Sequence, residues 1–222
     1  MLSQNVIEDQ TPQFFHKTKA TKSKAGRVLP KKTPVFHQGD EASHFYKVRS
    51  GVVMTYRLLE DSQRQITGFC TAGDYFGMSP DDTYHNTAVT VSTSNIVSLT
   101  MADIQADPDI QRELFSRTCR QLEDAQSMMM TLSKKTAGQK VAAFLVMLSK
   151  QQARKTGKNL EAFDVGLPMS RLDIADYLGL SIETVSRRLT DLKCKGVIEL
   201  PSRNVAHVCH LTELESMAGP LT

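Results

Sequence analysis

Between residues 25 and 100 the apolar positions come in short runs broken by turn residues. FYKV at Phe45–Val48, VVMTYRLL at Val52–Leu59 and QITGFC at Gln65–Cys70 read as strands. Gly39-Asp40, Gly51, Asp61-Ser62 and Gly73-Asp74 separate them, and Ala88–Thr100 is dense in β-branched residues. This pattern predicts an antiparallel roll or barrel.

Helical spacing takes over at Pro108, where Asp109 and Glu113 bring negative charge to a helix start. Phe115, Thr118, Leu122, Ala125, Met129 and Leu132 then recur at alternating intervals of three and four. That is the seam of a two-helix coiled coil, so the stripe predicts pairing with a second copy. Its alternative is a helix whose stripe covers the roll of its own chain. A second helix is expected over Thr136–Gln152, with Val141, Phe144, Leu145 and Leu148 as its core face, followed by a polar loop over Gln151–Asn159.

The next segment carries the chemistry. Ser170 followed by Asp173 has the form of a capping box for a helix over Arg171–Leu178, which Gly179 ends. Ser181 caps a further helix whose apolar face is Ile182, Val185, Leu189 and Leu192. At 100° per residue, Glu183, Ser186, Arg187 and Thr190 point away from that face together. Arginine forks onto guanine O6 and N7, and glutamate accepts from cytosine N4, so Glu183, Ser186 and Arg187 have the chemistry of a major-groove reader. Ser170, Arg171, Ser181, Thr184, Arg188 and Thr190 are candidates for phosphate contacts. VIEL at Val197–Leu200 and VAHV at Val205–Val208 flank the turn PSRN and predict a β-wing. The competing reading is a plain helical hairpin.

A chain of 222 residues suits two modest domains. The expected division is an arm and roll over 1–106, a long helix over 107–134 and a DNA-binding unit over 135–222. A net charge of +3 permits contact with a polyanion without requiring it. The basic stretch His16–Arg27 is read as a solvated arm. No signal sequence opens the chain, and the longest apolar run, Val141–Leu148, is far short of the ~20 residues that span a bilayer. Cys70, Cys119, Cys194 and Cys209 are widely separated and suggest neither disulfides nor a zinc knuckle. A cytoplasmic protein with no membrane attachment is expected. No GxGxxG or Walker loop, HExxH motif or recognisable catalytic triad argues for an enzyme.

With these residues in hand, the chain resembles the CRP/FNR family of bacterial regulators, and within it the FNR and FixK-like branch. The likeness rests on DIADYLGLSIETVSRRL at Asp173–Leu189, KKTAGQKVAAFL at Lys134–Leu145, SGVV at Ser50–Val53 and GDYFG at Gly73–Gly77. The resemblance implies an α+β protein with a cyclic-nucleotide-binding-type β-roll, a dimerisation helix and a C-terminal winged helix-turn-helix. It also implies that Glu183, Ser186 and Arg187 read a TTGAT-type half-site in a palindrome, and that the homodimer activates transcription through RNA polymerase.

Departures from the family concern the effector. Where cyclic-nucleotide binders place a glutamate and an Arg-Ser or Arg-Thr pair, this chain has Met78 and Asn86-Thr87, so no cation is left for a cyclic phosphate. No cysteine precedes Cys70, which removes the ligands of an iron–sulfur centre. His37, His44 and His85 are the residues a haem would need, and the expectation is that no cofactor is bound. A ligand-binding regulatory roll remains the alternative. Arg188 stands where the motif usually has an apolar residue; its stem is expected along the core edge with the charge reaching a phosphate. His207, Cys209 and His210 lie too close in sequence for a tetrahedral metal site without another loop. Cys194 lies between Lys193 and Lys195, and neighbouring ammonium groups favour a thiolate, which makes it a candidate redox site.

Overall fold

The computed structural model describes residues 25–60, 63–156 and 162–220. Most of the basic N-terminal stretch, the Asp61-Ser62 turn and the 157–159 part of the expected loop lie outside them.

Eight strands build the roll: β1 (Arg27–Leu29), β2 (Pro34–Phe36), β3 (Phe45–Ser50), β4 (Val52–Leu58), β5 (Arg64–Thr71), β6 (Tyr75–Phe76), β7 (Thr87–Thr90) and β8 (Ser94–Leu99). They form two four-stranded antiparallel sheets, ordered β1-β8-β3-β6 and β2-β7-β4-β5. Alternation along the strands aims Val48, Val53, Cys70, Phe76, Ala88 and Ile96 into the space between the sheets. Phe36, Tyr46, Phe76 and Tyr84 stack at one side of this core, with the Phe36 and Tyr84 centroids 3.7 Å apart.

The SGVV motif marks the tight passage from β3 to β4. Gly51 has φ +85°, and a Cβ there would run into the Ser94 side chain and the Thr93 carbonyl. Only glycine meets both requirements.

The outer face of the β2-β7-β4-β5 sheet is apolar as well. Met54, Ile66, Phe69 and Val91 belong to the same buried cluster as Met128, Phe144, Tyr177 and the interior of the C-terminal half. The roll is therefore one wall of a larger core.

Helix α1 (Met101–Ala106), which the apolar pattern did not reveal, closes the roll with a capping box between Thr100 and Asp103. Asp107 then caps α2 (Pro108–Lys134), accepting from Asp109 N and Ile110 N, with proline at the first helical position. Its 27 residues make a rod about 40 Å long. Helix α3 (Ala137–Thr156) runs past its expected end at Gln152, so Gln151–Thr156 is helix rather than loop. Gln152 donates to the Asp164 carbonyl at 2.7 Å and Arg154 faces Asp124 of α2 at 3.7 Å, contacts that hold the extra turn.

The C-terminal half continues through β9 (Phe163–Gly166), α4 (Arg171–Leu178), α5 (Ile182–Cys194), β10 (Ile198–Ser202), β11 (Val205–Val208) and α6 (Leu211–Ala218). The hairpin is a wing, as expected, but β10 runs through Pro201 to Ser202 and leaves Arg203-Asn204 at the turn. Strand β9 pairs with β11 to complete a β10-β11-β9 sheet. Among the described residues no helix is long and apolar enough to cross a membrane.

Replacing Gly51 by alanine is expected to lower stability by about 2–4 kcal/mol, from a disfavoured φ together with overpacking. Urea unfolding should show an earlier midpoint at unchanged slope, and a midpoint equal to that of the wild type would show that the turn has room.

Candidate nucleic-acid interface

The helix-turn-helix is fixed by two caps and one left-handed residue. Ser170 and Asp173 close a complete capping box: Asp173 N donates to Ser170 Oγ at 3.1 Å, while Ser170 N and Oγ donate to Asp173 Oδ2 at 2.8 and 2.7 Å. Gly179 ends α4 at φ 61°, in the left-handed region, and Leu180 N returns to the Ala175 carbonyl at 3.0 Å. Ser181 then caps α5, accepting from Thr184 N at 3.2 Å.

Helix α5 is two-sided. Val185, Leu189 and Leu192 are at most 3% exposed and pack into the large core. Complete burial of each such side chain stabilises by roughly 1.5–3 kcal/mol, enough to fix the rotation of the helix. Ile182, assigned to that face from its spacing, is the first residue of the helix and is 40% exposed. Glu183, Ser186, Arg187 and Thr190 are all exposed, on the side facing away from the core. The Glu183 carboxylate is held below its usual range by its own backbone N–H and by the Ser181 hydroxyl, so it stays ionised and acts purely as an acceptor. Thr190 Oγ1 donates to the Ser186 carbonyl at 3.0 Å.

The backbone candidates divide. Ser170 and Ser181 are exposed, and Thr184 is half-buried with its hydroxyl 3.0 Å from that of Ser181. Arg188 Nη1 donates to Asp191 Oδ2 at 2.8 Å, and its stem passes Gly138 of α3. Its buried Nε has no hydrogen-bond partner among the described residues. Arg171, half-buried at the start of α4, has a buried Nη1 with no hydrogen-bond partner among the described residues. Burial first, and the nearby Arg203 guanidinium second, press its pKa downward. Arg203 is exposed at the wing turn. It belongs to the PSRN turn, and an arginine in a wing turn is the signal the sequence carries for it.

Of the seam positions on α2, Phe115, Leu122 and Met129 are 73%, 59% and 65% exposed, and Ala125 is exposed too. Thr118 and Leu132 are half-buried, Thr118 through its hydroxyl against Met78 Sδ at 3.5 Å and Leu132 against the large core. The roll of the same chain therefore leaves the stripe bare along its centre.

The remaining candidates are scattered. Cys194 is exposed at the last residue of α5, and all four cysteines are free. Burial, with Asp74 nearby, pushes the Cys70 thiol up to about 12, which keeps it protonated. His37 lies 3.6 Å from Asp40, His44 bonds Ser43 at 2.9 Å and His85 bonds Asp81 at 2.6 Å. His207 Nδ1 is 2.8 Å from Asp164 Oδ1 across the wing sheet. Among the described residues no group of three or more His, Cys, Asp or Glu side chains is placed to hold a metal ion. Thr87 Oγ1 accepts from Gln38 N at 3.0 Å, and Asn86 Oδ1 is buried without a partner among the described residues.

Residues 139–217 match the Crp-like helix-turn-helix domain, and residues 26–106 match the cyclic nucleotide-binding domain. The transcriptional activator protein FnrA of Stutzerimonas stutzeri is 37% identical over 188 residues, which cover 82% of this chain and 76% of that protein. The chain belongs to the CRP/FNR family, in its FNR/FixK branch. The nitrogen fixation regulation protein FixK of Azorhizobium caulinodans is likewise 37% identical, over 79% of this chain and 71% of its own. The solved structure of FixK2 from Bradyrhizobium japonicum superposes with a TM-score of 0.76 at 28% identity, covering 88% of this chain and 97% of that one. This CRP/FNR protein is a DNA-binding regulator and not an enzyme.

Proposed function

We propose that this CRP/FNR protein is a cytoplasmic transcription activator that binds a TTGAT-type palindrome as a homodimer and works with RNA polymerase. The observation that carries the reading is the two-sided α5, with three buried apolar residues behind an exposed glutamate, serine and arginine. Arg187 forks onto a guanine, Glu183 accepts from a cytosine, and Ser186 completes the base-reading set. Ser170, Ser181, Thr184, Arg188 and Thr190 contact the backbone. Arg171 and Arg203 straddle one phosphate, which relieves the repulsion between the two guanidinium groups. The activator names borne by FnrA and other relatives support the direction of the effect.

Pairing runs through α2, where Phe115, Leu122 and Met129 occupy successive equivalent heptad positions and are bare in the single chain. The roll over 1–106, the helix over 107–134 and the DNA-binding unit over 135–222 act as sensor-type body, dimer axis and reader. Cyclic nucleotide is not required, since Met78 and Asn86-Thr87 offer no cation to its phosphate. Cys194, exposed between Lys193 and Lys195 near the DNA side, gives the protein a redox response: an oxidised, negatively charged sulfur weakens phosphate binding.

Selection of DNA from a random pool with the purified, ligand-free protein should return the palindrome, with half-site centres about 34 Å apart; tight binding of one chain to one half-site would contradict it. Arg187→Ala should lose about 1–3 kcal/mol and relax preference at one base step, whereas an even loss over all sequences would reduce it to a phosphate contact. Leu122→Glu should give monomers in sedimentation and weaken palindrome binding by a factor on the order of 100; dimers at wild-type strength would reject the α2 seam. Peroxide should lower operator affinity in the wild type but not in Cys194→Ser, and equal affinity before and after treatment disposes of the redox reading.

A further inference from the structure

The helix that braces the recognition helix is tied to the roll by an arginine that the DNA-reading face does not use. Arg64, the first residue of β5, donates through Nη2 to Asp176 Oδ2 at 2.6 Å and to Asp173 Oδ1 at 2.8 Å, and through Nε to Asp176 Oδ2 at 3.1 Å. Both carboxylates belong to α4. Gln65 Nε2 adds a bond to the Asp176 carbonyl at 3.2 Å. The guanidinium also lies over the Tyr56 ring at 5.6 Å, which holds its plane. With side chains 27%, 14% and 23% exposed for Arg64, Asp173 and Asp176, the cluster is largely shielded from water.

Asp173 takes part in two structures at once. Its Oδ2 closes the capping box with Ser170, while its Oδ1 receives Arg64. The arginine therefore grips the cap that starts α4, and α4 packs directly against α5. A planar fork with several donors is needed to reach two carboxylates in this way; a lysine ammonium lacks that geometry.

We propose that Arg64 is a positioning residue for DNA reading: by clamping Asp173 and Asp176 to β5 it fixes the angle of α5 to the roll, and so the half-site spacing that the dimer accepts. The spacing role rests on the palindrome reading above. In a dimer joined through α2, each recognition helix is located through its own roll and its own clamp. One base pair more or less displaces a half-site by about 3.4 Å and rotates it about the duplex, so a held α5 rejects it and a loosened α5 tolerates it.

The test measures binding of the full-length protein to duplexes carrying identical half-sites at the preferred spacing and at one base pair shorter and longer. Arg64→Gln should weaken binding at the preferred spacing about tenfold while changing the other two little, so that discrimination flattens. The exchanged pair Arg64→Asp with Asp176→Arg should recover part of the discrimination. An equal loss at every spacing, or a lowered melting temperature with discrimination intact, overturns the positioning role. Hydrogen exchange on the DNA-free protein tests the clamp itself: Arg64→Gln should speed exchange in β5 and α4 and leave α6 and β11 protected, and an unchanged pattern refutes it. If the wild type shows no preference for a palindrome, the DNA reading and the spacing role fail together, and the exchange result still decides whether Arg64 clamps α4.

Discussion

A helix offers one face to DNA only when its opposite face is held, and here the hold is an apolar core shared by the two halves of the chain. Phe69 of β5, Phe144 of α3 and Tyr177 of α4 meet edge to face, with centroids 5.2–6.3 Å apart and planes at 60–69°. Each such pair adds roughly 0.5–1.5 kcal/mol to the burial itself, and the perpendicular geometry resists sliding in a way that plain aliphatic contact does not. The same cluster contains Val185, Leu189 and Leu192 from the back of α5. The aim of the recognition helix and the attachment of the roll are thus settled by one set of contacts.

Around that core the polar groups sort by whether the chain already satisfies them. The Ser170 hydroxyl has Asp173, and Arg188 Nη1 has Asp191 while its buried Nε has no partner among the described residues. Arg171 Nη1 is likewise buried without a partner among the described residues, and burial together with the Arg203 guanidinium at the wing disfavours its charge. Glu183, Ser186 and Arg187 of α5 stand exposed to water. Such an asymmetry is what a surface awaiting a polyanion needs.

Much of this was legible because it is local. The helix-turn-helix announces itself through Ser170-Asp173, Gly179 and Ser181, each acting over three or four residues, and the 3-4-3 spacing of Val185, Leu189 and Leu192 gives the buried face. The strands of the roll follow equally from alternation and turn residues. What escaped notice depends on partners remote in sequence. Strand β9 exists because β11 pairs with it some forty residues later, so Phe163–Gly166 carries no strong signal of its own. Helix α1 is six residues long and too short to show a period. Arg64 meets Asp173 and Asp176 across separations of 109 and 112 residues, and nothing in the neighbourhood of Arg64 foretells them. Ile182 was misplaced because a periodic pattern does not tell how exposed the first residue of a helix is.

Pairing through the bare stripe on α2, as proposed above, would link the amount of the protein to its action. Phe115, Leu122 and Met129 cannot all stay in water without cost, so a chain that pairs through them is governed by mass action. At low copy number the paired form grows with the square of chain concentration, and a modest rise in synthesis becomes a steep rise in promoter occupancy. Paired in that way, a protein with Met78 and Asn86-Thr87 in its roll has a control variable that needs no small molecule: its own abundance.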